Sequence, residues 1–170
     1  MKRGVFGAML AVCMASSWAV AEPSETGARY VKKIPLPNDQ TAIVAEGDFE
    51  ARSIGSYSVR LYAANDAQPG DTTIYESGVL LPRDGTIEDV RLADIDGDKR
   101  DEIIVIVRSA GSGGYLSAQA LSFSNNRIEA RTKVSDLPPD ADPVAALDKT
   151  RRSDKVMGKG KYHDPNGGAR

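Results

Sequence analysis

Cysteine and histidine are almost absent from this chain: Cys13 and His163 are the only representatives among 170 residues. A single thiol makes no intramolecular disulfide and no cysteine metal site. A single histidine near the C-terminus leaves no Ser-His-Asp constellation to assemble. No phosphate-cradling glycine loop and no dinucleotide fingerprint occurs, so the ordinary equipment of an enzyme is missing. Aromatic residues make up only 6%, and the formal charge is −2 with no dense basic patch in the body of the chain. That balance argues against a nucleic-acid partner. Long apolar runs are also lacking, apart from one at the start.

That first run decides the compartment. Lys2 and Arg3 precede "GVFGAMLAVCMASSWAV", which closes on Ala19-Val20-Ala21 before Glu22. A basic beginning, a short apolar stretch and an A-x-A site form the layout of a secretory signal cleaved after Ala21. The stretch is too short and too rich in small residues for a membrane span. The mature protein is therefore expected in a bacterial periplasm, free of the membrane, and Cys13 leaves with the leader. An exported chain without disulfides depends on its hydrophobic core. The layout expected is a signal peptide over 1–21, a flexible segment over 22–29, a single folded domain over 30–140, and a basic tail over 141–170. From Lys149 onward the tail is nearly free of large apolar side chains, which predicts a segment without fixed structure.

Within the domain, strand signals follow one another. "SYSVRLY" alternates Tyr57, Val59 and Leu61 with Ser58, Arg60 and Tyr62, the period of a half-buried strand. "TTIYESGVLLP" reads as a strand interrupted at Gly78 and ended by Pro82. "EIIVIVR" carries five consecutive β-branched residues, Ile103 to Val107, and fits a central strand buried on both faces. In "YLSAQALSF" the apolar phase flips between Ala120 and Leu121, which predicts a bulge. Asn125-Asn126 is a turn signal before a final strand, "RIEARTKV". Only "DPVAALDK" has helical spacing, and it is short. About eight short strands joined by turns predict an all-β fold, an antiparallel β-sandwich.

Three stretches carry candidate chemistry. In "DIDGDKRDE", Asp94, Asp96 and Asp98 alternate and Glu102 follows, so their oxygens can converge on a hard cation such as Ca²⁺. Lys99 stands where an EF-hand needs glycine, and the stretch is closer to the calcium loops of FG-GAP repeats. Its structural alternative is an acidic turn in which the aspartates cap backbone amides. On the calcium reading the chain is an exported binding or adhesion module. Glu46, Asp48 and Glu50 alternate as though on one strand face, where a solvated surface is the better reading than a pair of catalytic acids. The third stretch is "SAGSGGYLS". Gly111, Gly113 and Gly114 exceed what a tight hairpin needs, while Ser112 and Tyr115 offer hydroxyls beside the stiffest strand of the chain. From the residues alone, a hairpin and a binding loop are equally supported.

Two segments tip that balance. "IVAEGDFEARSIGSYSVRLY" and "DIDGDKRDEIIVIVRSAGSGGYLSAQAL", with "LLPRDGTIEDVRL" between them, resemble the periplasmic inhibitors of I-type (invertebrate) lysozyme. The similarity runs from Tyr30 to Phe123 and on towards Val134. It implies an antiparallel β-sandwich, a foreign lysozyme as partner and no cofactor. It further implies that an S-G-x-Y loop, here Ser112-Gly113-Gly114-Tyr115, enters the lysozyme cleft and blocks its catalytic carboxylates. Arg60 and Arg108 could reach an acidic cleft, but long basic side chains on strands are more often solubilising, and they are not counted among the site residues. A homodimer is the one further assembly left open. The departure from the family lies after "LPPDADP", where the expected closing strands are replaced by the basic tail.

Overall fold

The computed structural model describes residues 28–65 and 68–157. The leader read over 1–21 and the tail beyond residue 157 lie outside the described residues. Eight strands follow in chain order: β1 (Val31–Pro35), β2 (Thr41–Glu46), β3 (Ile54–Tyr62), β4 (Tyr75–Asp84), β5 (Thr86–Ala93), β6 (Glu102–Arg108), β7 (Leu116–Ser124) and β8 (Arg127–Leu137). A helix, α1, spans Pro143–Met157. The strands form two antiparallel meanders, β1-β2-β3-β4 and β5-β6-β7-β8, packed face to face. This is the all-β antiparallel sandwich that the alternation of the sequence predicts.

The inter-sheet core takes Val44, Tyr57, Val59 and Leu61 from the first sheet and Ile103, Val105, Val107 and Leu121 from the second. Burial of an aliphatic side chain of this size contributes about 1.5–3 kcal/mol. Two polar bridges fix the sheets to each other. Buried Glu46 accepts the Ile87 amide at 2.7 Å, and Lys32 donates to the Val90 carbonyl at 2.7 Å. The phase flip in β7 appears as a register shift against β8 between Gln119 and Leu121. It sends Leu116, Ala118 and Ala120 to one face and Leu121 to the other. Asn125 and Asn126 both adopt left-handed backbone (φ 49° and 59°), closing the β7–β8 hairpin as a two-residue turn of that hand requires.

Two expectations need correction. β4 is neither interrupted at Gly78, which pairs in register with Arg60, nor ended by Pro82, but runs through to Asp84. β4 is an edge strand, where proline is tolerated because no second neighbour asks for its missing N–H. The region from residue 141 is not structureless either, since α1 occupies Pro143–Met157. Asp142 caps the helix by accepting the Val144 amide at 3.0 Å. Leu147 is fully buried against Ile104, Ile106, Ala118 and Ala120 on the outer face of the second sheet. Arg151 then ties the helix to the sheet by donating to the carbonyls of Ile95 (3.0 Å) and Asp96 (2.8 Å). β6 is therefore buried on both faces, one by the first sheet and one by α1. Among the described residues, no helix is long and apolar enough to cross a membrane.

Candidate functional site

β6 leaves the core at Arg108 and the chain returns as β7 at Leu116, with the glycine-rich stretch between them. The Ser109 amide donates to the Tyr115 carbonyl at 2.8 Å, closing the neck of a seven-residue loop. Inside it the Gly114 amide donates to the Gly111 carbonyl at 3.1 Å, forming a tight turn with Ser112 and Gly113 at its tip. Gly114 has φ +55°, a left-handed backbone that glycine adopts at no steric cost. Gly113 meets a different demand. A Cβ there would stand 2.7 Å from Tyr115 Cδ2, so only glycine lets the ring lie against the loop.

The loop stands clear of its own sheets. Gly111, Ser112 and Gly113 are exposed, and Tyr115 is 51% exposed. Neither the Ser112 nor the Tyr115 hydroxyl has a hydrogen-bond partner among the described residues. The base, in contrast, is clamped. Arg108 donates to the Gly114 carbonyl at 2.8 Å and holds Glu88 with two guanidinium nitrogens, one at 2.8 Å from Oε1. That pairing keeps the Arg108 guanidinium above its ordinary pKa, the hydrogen bond to Glu88 outweighing desolvation. Arg108 is thus engaged within its own chain. Beside Tyr115 a cleft of about 450 Å³ opens between the edges of β4 and β8, with Pro82, Lys133 and Asp136 on its walls.

The same end of the sandwich is organised by a residue that nothing in the sequence distinguishes. Arg83 is buried and donates to the carbonyls of Ala51 (2.9 Å), Arg52 (2.8 Å), Ser56 (3.1 Å) and Gly85, with the Glu50 carboxylate 3.7 Å away. Its fork of donors matches this set of acceptors, as a lysine could not. Gly85 is the corner at which the chain passes from one sheet to the other. Its φ is +112°, and a Cβ there would stand 2.7 Å from the Arg108 carbonyl carbon.

The acidic stretch lies at the opposite end, where β6 begins. Asp94, Asp96 and Asp98 each bring a carboxylate oxygen within 4.8 Å of the others, at the surface. Glu102 does not join them, which corrects the four-residue set expected from spacing. Its carboxylate is buried and accepts the Ile95 amide at 3.0 Å. Burial pushes its pKa up, against that hydrogen bond, and the neighbouring aspartates push the same way. The Asp94 oxygens take the amides of Asp96 (3.1 Å), Gly97 (2.6 Å) and Lys99 (2.9 Å), and the amides of Asp98 and Arg100 bind Asp96 and Asp98 in turn. Although desolvation raises it, these amides leave the Asp94 carboxyl below its ordinary value. The stretch is a self-capped turn in which the aspartates serve the backbone. Glu46, Asp48 and Glu50 do not share a strand face. Glu46 ends β2 and points into the core, whereas Asp48 and Glu50 fall in the loop that follows.

A stiff all-β body thus presents a clamped, glycine-thinned loop with two unengaged hydroxyls. The model of the family described as periplasmic lysozyme inhibitor of I-type lysozyme matches residues 28–151, and the chain belongs to that family. The crystal structure of the inhibitor PliI from Aeromonas hydrophila is 42% identical, with a TM-score of 0.65, covering 69% of this chain and 98% of that one. A second structure, Aeromonas hydrophila PliI in complex with Meretrix lusoria lysozyme, is 43% identical with a TM-score of 0.64, covering 69% and 94%. A comparison with curated proteins finds no match. The family is described as periplasmic and inhibitory, which matches the compartment and the non-enzymatic role expected from the sequence.

Proposed function

We propose that this chain inhibits I-type lysozyme by inserting Ser112-Gly113-Gly114-Tyr115 into the enzyme's active-site cleft. Glycoside hydrolysis by lysozymes relies on two carboxyl groups flanking the scissile bond. Two hydroxyls on a thin loop are suited to donate to those acids and to occupy the space of the sugar. The observation that carries the reading is the state of Ser112 and Tyr115, exposed at the tip of a clamped loop with hydroxyls that no described residue engages. Pre-organisation by Arg108 reduces the ordering cost on binding. In the periplasm of a Gram-negative bacterium, such a plug protects peptidoglycan from an intruding muramidase. The family and structural relatives give no support to a calcium-dependent adhesion module built on the Asp94 stretch.

A hydrogen bond to a charged group contributes about 1.5–3 kcal/mol, so Ser112→Ala and Tyr115→Phe should each weaken inhibition roughly tenfold to a hundredfold. Turbidity clearance by I-, c- and g-type lysozymes, with the parent and with each variant, tests this. Inhibition of the I-type enzyme that both variants retain in full refutes the mechanism.

A further inference from the structure

The loop between β2 and β3 carries an aromatic ring that the mechanism above does not use. Phe49 is 105% exposed, the most exposed large apolar residue described, and its backbone is left-handed at φ 60°. A bulky side chain adopts that conformation only when its surroundings impose it. Here they do. The Gly47 amide donates to the Ser56 carbonyl at 3.0 Å, and the Glu50 carboxylate accepts the Ser56 amide (2.5 Å) and hydroxyl (2.6 Å). Arg83 holds the carbonyls of Ala51 and Arg52, and Arg29 holds that of Glu50. The ring is neither buried nor loosely tethered; it is held out into solvent by a stiff frame.

Its position relates it to the inhibitory loop. The Gly85 amide donates to the Ser53 carbonyl at 2.8 Å, at the foot of the Phe49 loop. On its other side the same glycine sits so close to β6 that a Cβ would stand 2.8 Å from Ser109 Cα, at the foot of the Ser112 loop. Both loops thus flank one corner at one end of the sandwich. A stable protein–protein interface covers about 800 Å² on each partner, more than a five-residue tip provides. Further contacts must come from the same end.

We infer that Phe49 is a second anchor for the lysozyme, seated on an apolar patch at the rim of the cleft that receives Ser112 and Tyr115. This rests on the inhibitory reading given above. Interface energy concentrates in a few aromatic and arginine anchors, and a ring fixed before binding loses little freedom on docking.

The test is calorimetric titration of an I-type lysozyme with the full exported chain and two variants, Phe49→Asn and Ser112→Ala. Asparagine tolerates left-handed backbone, so Phe49→Asn should fold with an unchanged or higher Tm. It should bind the enzyme about thirtyfold more weakly, as loss of an aromatic anchor does. Affinity within twofold of the parent for Phe49→Asn, while Ser112→Ala is weakened, overturns this inference and leaves the inhibitory loop standing. Weakening by Phe49→Asn alone supports the anchor and refutes the role given to Ser112. If neither variant is weakened, both readings fail. Sedimentation of each variant separates the remaining case: a dimer lost on Phe49→Asn with lysozyme affinity intact means the ring serves a second copy of the chain, which also overturns the inference.

Discussion

The ring of Tyr115 rests against the backbone of Gly113, close enough that a Cβ at position 113 would stand 2.7 Å from Tyr115 Cδ2. The φ of Gly113 is not among the left-handed ones, so the backbone itself accepts alanine there. Gly113→Ala should therefore displace the ring without unfolding the loop. Inhibition of I-type lysozyme should fall about tenfold, the worth of one misplaced charge-assisted hydrogen bond, with Tm unchanged. Inhibition constants and a thermal melt on the same preparation check it.

Arg83 gives the clearest stability prediction. Its guanidinium is buried and satisfies four carbonyls, with Glu50 nearby. Arg83→Met fills similar volume but strands those acceptors, and should cost about 3–5 kcal/mol in urea unfolding. Arg83→Lys should recover only part of the loss, because one ammonium does not reproduce the fork.

Leu147 tests the helix. Leu147→Ala opens a cavity between α1 and the second sheet and should destabilise the chain by about 2–5 kcal/mol. The substitution touches the outer face of the sheet and not the loop. At a temperature where the variant remains folded, its affinity for lysozyme should match that of the parent.

Glu102 predicts a dependence on pH. Burial raises its pKa above the ordinary 4.5, so the folded state favours the protonated form. Its contribution is fully present below the unfolded value and is lost as pH rises through the higher folded value. Asp94 and Asp98 have the opposite sign: their carboxyls are held below 3.8, and their contribution is lost as pH falls. Glu102→Gln keeps an acceptor for the Ile95 amide and removes the charge. Relative to the parent, it should be more stable at about pH 7 than at about pH 4, read from chemical unfolding at both.

Much of this architecture is legible in the sequence because its signals are local. Alternation in "SYSVRLY" and the β-branched run "EIIVIVR" identify strands, the flip from Ala120 to Leu121 marks a bulge, and Asn125-Asn126 marks a hairpin. The helix is less legible, since its apolar side is only Val144, Ala146 and Leu147 among charges. Yet its necessity was written into β6. A strand apolar on both faces needs two covers, and the first sheet supplies only one. Arg83 and Phe49 carry no local mark at all, because their roles come from carbonyls and corners that meet only in the folded chain.

The most direct measurement is the dissociation constant of the Ser112→Ala, Tyr115→Phe double variant for an I-type lysozyme, with its melting curve taken in parallel. Affinity should fall by about a hundredfold or more at unchanged Tm, since neither hydroxyl supports the fold. A double variant that binds as tightly as the parent would contradict the role given to both hydroxyls.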